Sequence, residues 1–223
     1  MDLLQQDTLT KELAKIGKAL SNPLRWTILS LIAQCEKPVQ RIAEQAGHPV
    51  ANISIQLRIL LEAGLVVSRK EGRQVLYFLA SDQVRAMLLS VQETASRVHP
   101  GARMVVQEKF VDENDILDEE YEDLVEQINS GRVLLVDLRP ADDYEFEHIT
   151  GAENIGLHEI ESKAAEIKAR NVPVVVYCRG PFCITSINGI KLLREHGIRT
   201  RRLPISVYEW RQRGFSVTRA ARV

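Results

Sequence analysis

Two cysteines lie five positions apart in the stretch "VVVYCRGPFCITS": Cys178 and Cys183, on either side of Arg179, Gly180, Pro181 and Phe182. Thiols at this spacing allow three chemistries: a metal clip, a structural disulfide, or a reactive thiolate with a second thiol to resolve it. The metal reading fails for lack of company, because no His or Cys cluster completes the four ligands that zinc takes. No metal and no cofactor is expected. Direct disulfide closure needs Cα atoms within about 7 Å of each other. The reactive reading needs surroundings that favour the thiolate, which is the nucleophile. The loop supplies them. It leaves an apolar strand and enters a helix near Ile184, so backbone N–H groups over residues 179–184, reinforced by the helix dipole, form an anion cradle. Arg179 adds positive charge. Cys178 is therefore expected to be the thiolate nucleophile, with Arg179, Gly180, Pro181, Phe182 and Ile184 as its cradle. Cys183 is expected to resolve it or to share a bridge that contains extra sulfur. A phosphatase loop of related shape needs an arginine six positions after its cysteine. That position is Ile184, which argues against phosphoryl transfer.

The elements that must hold this loop alternate. "RVLLVDLR", "VPVVVYC" and "TRRLPI" read as short strands, and "AAEIKAR", "ITSINGIKLLREHG" and "VYEWRQRG" as helices between or after them. Short, wholly apolar strands between helices imply a parallel sheet covered on both faces. Reactive groups in such sheets sit at the carboxyl ends of strands, where Cys178 falls. Upstream, "FVDENDILDEEYEDL" is strongly acidic and reads as a solvated face, with mimicry of nucleic acid as the sharper alternative. "HPGARMVVQEK" reads as linker, with "MVV" as a possible short strand.

The first hundred residues have helical periodicity instead. Leu9, Leu13, Ile16 and Leu20 share one face, and Asn22-Pro23 restarts the chain as an N-cap and first helical position. Leu24, Ile28, Leu31 and Ile32 continue a core face, and a short helix spans about 38–46. "VANISIQLRILLEAGL" follows, with Ile53, Leu57, Leu60 and Leu61 buried and Gly64 as the stop. After Gly64 the period becomes alternating. "LVVSRKEGRQVLYFLA" is a hairpin around Glu71-Gly72, and a last helix spans about 81–98. The order of elements describes a helix-turn-helix with a wing. Asn52, Ser54 and Gln56 are the polar positions on the recognition helix. Asn and Gln can each bond the paired donor and acceptor of adenine in the major groove. Arg58, Arg69, Lys70 and Arg73 are placed to contact phosphate or the minor groove.

"NPLRWTILSLIA", "ISIQLRILLEAGLV" and "RKEGRQVLYFL" together resemble the ArsR-type family of winged-helix repressors over about residues 8–98. The resemblance implies a homodimer, joined through its first and last helices, on a palindromic operator. Many members sense metals through a Cys-Val-Cys element before the recognition helix. The matching segment here is "EKPVQRIA", with Pro38 and Gln40 at the thiol positions. Related sulfide sensors use a cysteine pair, and Cys35 has no partner in the last helix, so it is expected to be a small buried residue. "VLLVDLRPADDYEFEHITGAENIGL", "VVVYCRGPFC" and "YEWRQRGFSV" resemble the rhodanese family over about residues 115–218, with Asp137, Arg139 and His148 in the leading element. That resemblance implies a sulfurtransferase-type site in which Cys178 carries a persulfide. It departs at "LPISVYEW", where Pro204 and Ser206 replace residues that normally allow close packing beside the active loop.

The bulk properties agree with two jobs. The chain has 223 residues, 45% of them hydrophobic and 26% charged, as in a globular protein. Basic residues exceed acidic ones by three through residue 100, and acidic ones exceed basic by four beyond it, which gives the net charge of −1. No apolar run reaches the roughly 18 residues that span a bilayer. The N-terminus lacks the order of a signal peptide. Three cysteines do not suggest a disulfide framework. A cytoplasmic location and no membrane partner are expected.

The expected fold is thus two domains. Residues 1–99 form a mainly α winged helix-turn-helix with a β-hairpin wing, residues 100–114 a linker, and residues 115–220 an α/β rhodanese-like parallel sheet with helices on both faces. The expected function is a transcriptional regulator that binds operator DNA as a homodimer. It would respond to a sulfane-sulfur donor (thiosulfate, polysulfide or a persulfide) at Cys178 and Cys183. Two alternatives stay open: a thiosulfate-type sulfurtransferase that its winged helix merely dimerises or localises, and a disulfide redox switch without sulfur cargo.

Overall fold

The computed structural model describes residues 3–112 and 114–219. The chain forms two compact units, one up to Thr94 and one from Ala95 onward. Among the described residues, no helix is long and apolar enough to cross a membrane.

The first unit opens with α1 (Leu3–Leu20) and α2 (Pro23–Ile32). Asn22 starts α2 as expected: its side chain accepts from the N–H groups of Leu24 and Arg25, with Pro23 at the first helical position. Next come β1 (Lys37–Pro38), α3 (Val39–Ala46) and α4 (Val50–Glu62). Gly47, at φ 67, caps α3 in the left-handed conformation. The wing is β2 (Val66–Glu71) and β3 (Gln74–Leu79), paired from Val66↔Leu79 to Glu71↔Gln74. Its two-residue tip is Gly72-Arg73, with Gly72 at φ 57, where a type II′ turn takes glycine. The strand β1 was not expected. It pairs with β3 and makes the wing three-stranded, in the order β1-β3-β2. The last helix is α5 (Asp82–Val98). Ile28, Leu29, Ile32, Ile42, Ile53, Leu57 and Leu60 form the core. Leu61, expected to be buried, is only partly so. Leu9 and Leu13, expected on a core face with Ile16 and Leu20, are 54% and 56% exposed.

The second unit differs from expectation at once. Residues 100–110 form a helix, α6 (Pro100–Phe110), and "MVV" makes no strand. His99 caps it, its Nδ1 accepting from the N–H of Ala102, with Pro100 at the first helical position. There follow α7 (Tyr121–Asn129), β4 (Leu134–Asp137), α8 (Ala141–Phe146), β5 (His148–Ile149), β6 (Glu153–Asn154) and a 3-10 turn at Leu157–Glu159. The chain continues through α9 (Ile160–Ala169), β7 (Val174–Tyr177), α10 (Ile184–Glu195), β8 (Thr200–Arg202), α11 (Val207–Gln212) and β9 (Val217–Thr218). The main sheet is parallel, in the order β6-β4-β7-β8.

Alternation along β4 and β7 feeds two cores. Leu134, Val136, Val174 and Val176 pack with Ile160 and Ile167 of α9 and with Ile190 and Leu193 of α10. Leu135, Val175 and Tyr177 pack with Leu124 of α7 and with Val207 and Trp210 of α11. Helices cover both faces, as a parallel sheet requires. His148 of the leading element lies in β5, which pairs with β9. The acidic run is not simply solvated. Asp115 bonds the guanidinium of Arg194, and Ile116 bridges to Arg202 beyond the edge of the sheet.

Candidate functional site

The loop 178–183 leaves β7 where four apolar positions, Val174 to Tyr177, drive the strand between both cores. Cys178, the next residue, is 2% exposed. The loop ends at Cys183, which is half-buried and is the N-cap residue of α10. Gly180 adopts φ 150, which side-chain-bearing residues rarely reach, and this lets the loop curl. The curl brings the two sulfurs together: Sγ of Cys178 and Sγ of Cys183 are 2.8 Å apart, both as thiols. A covalent disulfide would be about 2.05 Å, so the pair stands within reach of closure.

Polar contacts lock the loop in that shape. The Cys183 N–H donates to the Gly180 carbonyl at 3.3 Å, so this amide is not part of an open cradle. Arg202, fully buried in β8, donates Nη1 to the Pro181 carbonyl at 2.5 Å and Nη2 to the Phe110 carbonyl, at the end of α6, at 2.7 Å. The Phe182 ring meets the Phe110 ring edge-on, with centroids 5.9 Å apart. The Arg179 side chain turns toward buried Asp143 of α8, with Nη2 3.6 Å from the carboxylate. Ile184 is half exposed. Ser206 begins α11 with a reciprocal cap: its Oγ accepts from the Glu209 N–H, and the Glu209 carboxylate accepts from the Ser206 N–H. A Cβ placed on Gly180 would lie 3.9 Å from the Ser206 Cβ, so serine beside the loop causes no clash.

The two thiols shift in opposite directions. The hydrogen bond with Cys183, together with burial, pushes the Cys178 thiol well up. Cys183 is pulled down to about 5, first by its hydrogen bond with Cys178, with the Arg179 N–H and the Thr185 side chain adding to it. Two thiols this close titrate as a unit. Burial lowers the pKa of Arg202, while the charges of Asp115 and Cys183 act in the opposite sense.

The other residues of the leading element are structural. Arg139 and Asp137 form a fully buried ion pair at 2.6 Å. Arg139 also donates to the Glu147 carbonyl, and Asn154 donates to the carbonyls of both Asp137 and Arg139. Buried polar groups satisfied in this way fix the start of the loop connections rather than meet a ligand.

On the first unit, Ser54 and Arg58 of α4 are exposed, as are Lys70 and Arg73 of the wing. Asn52 and Gln56 are half-buried and joined to each other, Gln56 Nε2 donating to Asn52 Oδ1 at 3.4 Å. Gln56 also accepts from Arg25 at 2.9 Å. Arg25 was missed as a candidate: buried in α2, it donates to the last carbonyls of α1, at Lys18 and Ala19, and so orients the recognition helix through Gln56. Arg69 is held by carboxylates, at 2.6 Å to Glu36 and 2.8 Å to Glu71, which sets it apart from Lys70 and Arg73. Cys35 is buried just beyond α2 and accepts from the Lys37 ammonium at 3.0 Å.

Residues 22–68 match the bacterial regulatory protein, arsR family, and residues 120–213 match the rhodanese-like domain. The HTH-type transcriptional regulator Rv0324 of Mycobacterium tuberculosis is 32% identical over 215 residues, covering 96% of this chain and 94% of that protein. The uncharacterized HTH-type transcriptional regulator MJ1325 of Methanocaldococcus jannaschii is 37% identical over 81 residues, covering 36% of this chain and 91% of its own. Among solved structures, the homodimeric winged helix-turn-helix DNA-binding domain (fragment 1-100) of Mb0332 from Mycobacterium bovis is 33% identical. It covers 45% of this chain and 94% of its own, with a TM-score of 0.43. The chain belongs to the ArsR family of DNA-binding transcriptional regulators, with a rhodanese-like domain as its C-terminal half.

Proposed function

We propose that this regulator is a cytoplasmic homodimeric repressor whose affinity for operator DNA changes when reactive sulfur modifies the pair Cys178 and Cys183. The observation that carries the reading is the 2.8 Å approach of these two thiols at the carboxyl end of β7, in a chain of a DNA-binding family. Sulfane sulfur from a polysulfide, thiosulfate or a persulfide enters the pair and leaves either a bridge or a bound sulfur. Both demand a new loop geometry. DNA is read by α4, through Asn52, Ser54 and Gln56, with Arg58, Arg69, Lys70 and Arg73 on the backbone. Leu9 and Leu13 on α1, with Val91 and Val98 on α5, present apolar side chains that a second copy would cover.

The test is DNA affinity by fluorescence anisotropy, on a duplex selected from a random pool by the reduced protein. It is measured before and after inorganic polysulfide, for the parent and for Cys178→Ser. Coupling of the usual size, about 5- to 150-fold, is expected in the parent only. Unchanged affinity despite confirmed sulfur loading would overturn the regulator reading and favour a sulfurtransferase that carries a DNA-binding domain. The same thiol approach favours a second reading, a plain disulfide switch. It predicts an equal DNA response to diamide, with the loss of two hydrogens and no gain of sulfur.

A further inference from the structure

We infer that Arg25, by holding Gln56 through its carbonyl oxygen, makes α4 a reader of base edges rich in acceptors, guanine above all, and not of adenine. This rests on the reading of α4 as the helix that contacts DNA bases, and it assigns the class of base taken. It does not depend on the thiol pair.

An amide side chain reads adenine with two atoms at once. Its oxygen accepts from the adenine N6 amino group while its nitrogen donates to N7, so both atoms must face the groove side by side. Gln56 does not offer them in that way. Its Oε1 accepts from Nη1 of Arg25 at 2.9 Å, and Arg25 is 8% exposed, so the oxygen end of the amide faces the interior of the unit. A guanidinium only donates, which fixes the end of the amide that it can hold. The amide nitrogen turns along α4 instead, where Nε2 donates to Asn52 Oδ1 at 3.4 Å. Asn52 thus has its own oxygen engaged and is left with its NH₂ group. The two residues are four positions apart, on one face of the helix. Together they present N–H donors, with their carbonyls already in use.

Arg25 is anchored independently of Gln56. Its Nη2 donates to the Lys18 carbonyl at 2.8 Å and its Nε to the Ala19 carbonyl, at the end of α1. Freeing the Gln56 oxygen for adenine would leave a buried guanidinium N–H without its acceptor, a loss greater than that of a neutral hydrogen bond. In the major groove guanine offers two acceptors, O6 and N7. Thymine offers O4 alone, adenine sets its N6 donor beside N7, and cytosine presents the N4 donor. Amides that can only donate fit guanine best and meet adenine and cytosine donor against donor.

The experiment selects duplexes from a random pool with the reduced full chain and with Asn52→Ala, Ser54→Ala and Gln56→Ala. The base pair whose preference disappears in Gln56→Ala is the one that Gln56 reads. Guanine is expected there in the parent, and its replacement by adenine should weaken binding about tenfold or more by fluorescence anisotropy. Arg25→Met frees the Gln56 oxygen, so that ratio should fall toward one. A role for Arg25 in folding alone would weaken both duplexes alike and leave the ratio as it was. Gln56→Glu keeps one oxygen for Arg25 and puts a second in place of the donor. A carboxylate accepts from the cytosine N4 amino group, so G·C should give way to C·G at that pair. This variant decides the question if Arg25→Met does not fold. Adenine at that position in the parent, guanine retained in Gln56→Glu, or an unmoved ratio in folded Arg25→Met overturns the inference and leaves α4 as the reading helix. So does a preference that Asn52→Ala or Ser54→Ala alters and Gln56→Ala does not. A selected sequence that none of the alanine variants alters overturns both.

Discussion

The guanidinium of Arg202 donates to the carbonyl of Pro181 at 2.5 Å, and with its other arm to the carbonyl of Phe110 at 2.7 Å. One buried side chain thus ties the thiol loop to the end of α6, and the Phe182 ring against Phe110 makes a second tie. Arg202→Leu leaves two half-buried carbonyls without their donor, at no more than about 1–3 kcal/mol each, offset in part because the unpartnered Nε goes too. The expected result is faster hydrogen exchange at Phe182 and Cys183, and in the last turn of α6. Arg202→Lys, which can reach only one of the carbonyls, should lie between. Exchange unchanged in Arg202→Leu would mean that the rings alone hold the loop.

The thiol pair carries a pH signature. Cys183 is lowered to about 5, so its alkylation should rise through that pH and be flat by neutrality, where an ordinary cysteine is still climbing toward about 8.5. Removing its sulfur partner with Cys178→Ala should move the midpoint upward. The stability slope follows from the same shifts. A lowered thiol contributes stability that is fully present above its unfolded value, about 8.5, and is lost as pH falls through about 5. Cys178 is raised instead, so its contribution is present below the unfolded value and is lost as pH rises toward its folded one. Denaturation midpoints of the parent and of the double variant Cys178→Ala/Cys183→Ala, compared from pH 5 to 9, read the difference.

Much of this arrangement was legible in the chain, and the reasons for the rest are local. Periodicity marks α2 and α4 because their apolar residues recur on one face, and Gly47 and Gly64 stop α3 and α4 by accepting positive φ. Cys178 is legible because four apolar residues before it can only be a buried strand. Arg202 is not legible. In "TRRL" two adjacent arginines look alike, and only the alternation of the strand turns one inward, where its partners come from residues 110 and 181. Arg25 hides in the same way, because its partners are the end of α1 and a side chain of α4. The helix α6 is a different case. His99-Pro100-Gly101 looks like a chain breaker, yet proline is well suited to a first helical position, and the helix signal was present.

The wing separates two kinds of arginine. Arg73 is exposed at the hairpin tip, whereas Arg69 is paired with Glu36 and Glu71. Arg73→Ala should therefore weaken binding to all DNA sequences alike and reduce the salt slope by about 1. Arg69→Ala should do less, since binding phosphate would require breaking its carboxylate contacts first. Titrations at three salt concentrations with each variant distinguish them, and equal slopes would show that Arg69 leaves Glu36 on DNA.

Gly180 and Ser206 face each other across the loop, and their substitutions should behave differently. At φ 150, Gly180 holds a backbone shape that alanine reaches only with strain, about 1–3 kcal/mol. The obstacle is the backbone and not space, because the new Cβ would meet nothing closer than the Ser206 Cβ at 3.9 Å. Gly180→Ala should lower the denaturation midpoint and, by relaxing the curl, separate the sulfurs. The alkylation midpoint of Cys183 would then rise toward that of an ordinary cysteine. Ser206→Gly removes only a capping hydroxyl, and glycine in place of serine at an N-cap costs a few tenths of a kcal/mol, on the order of 0.3. Its alkylation curve should overlay the parent's. Overlaid curves for both variants would instead mean that the sulfurs stay together whatever Gly180 does, leaving Arg202 and the phenylalanine pair as the contacts that shape the loop.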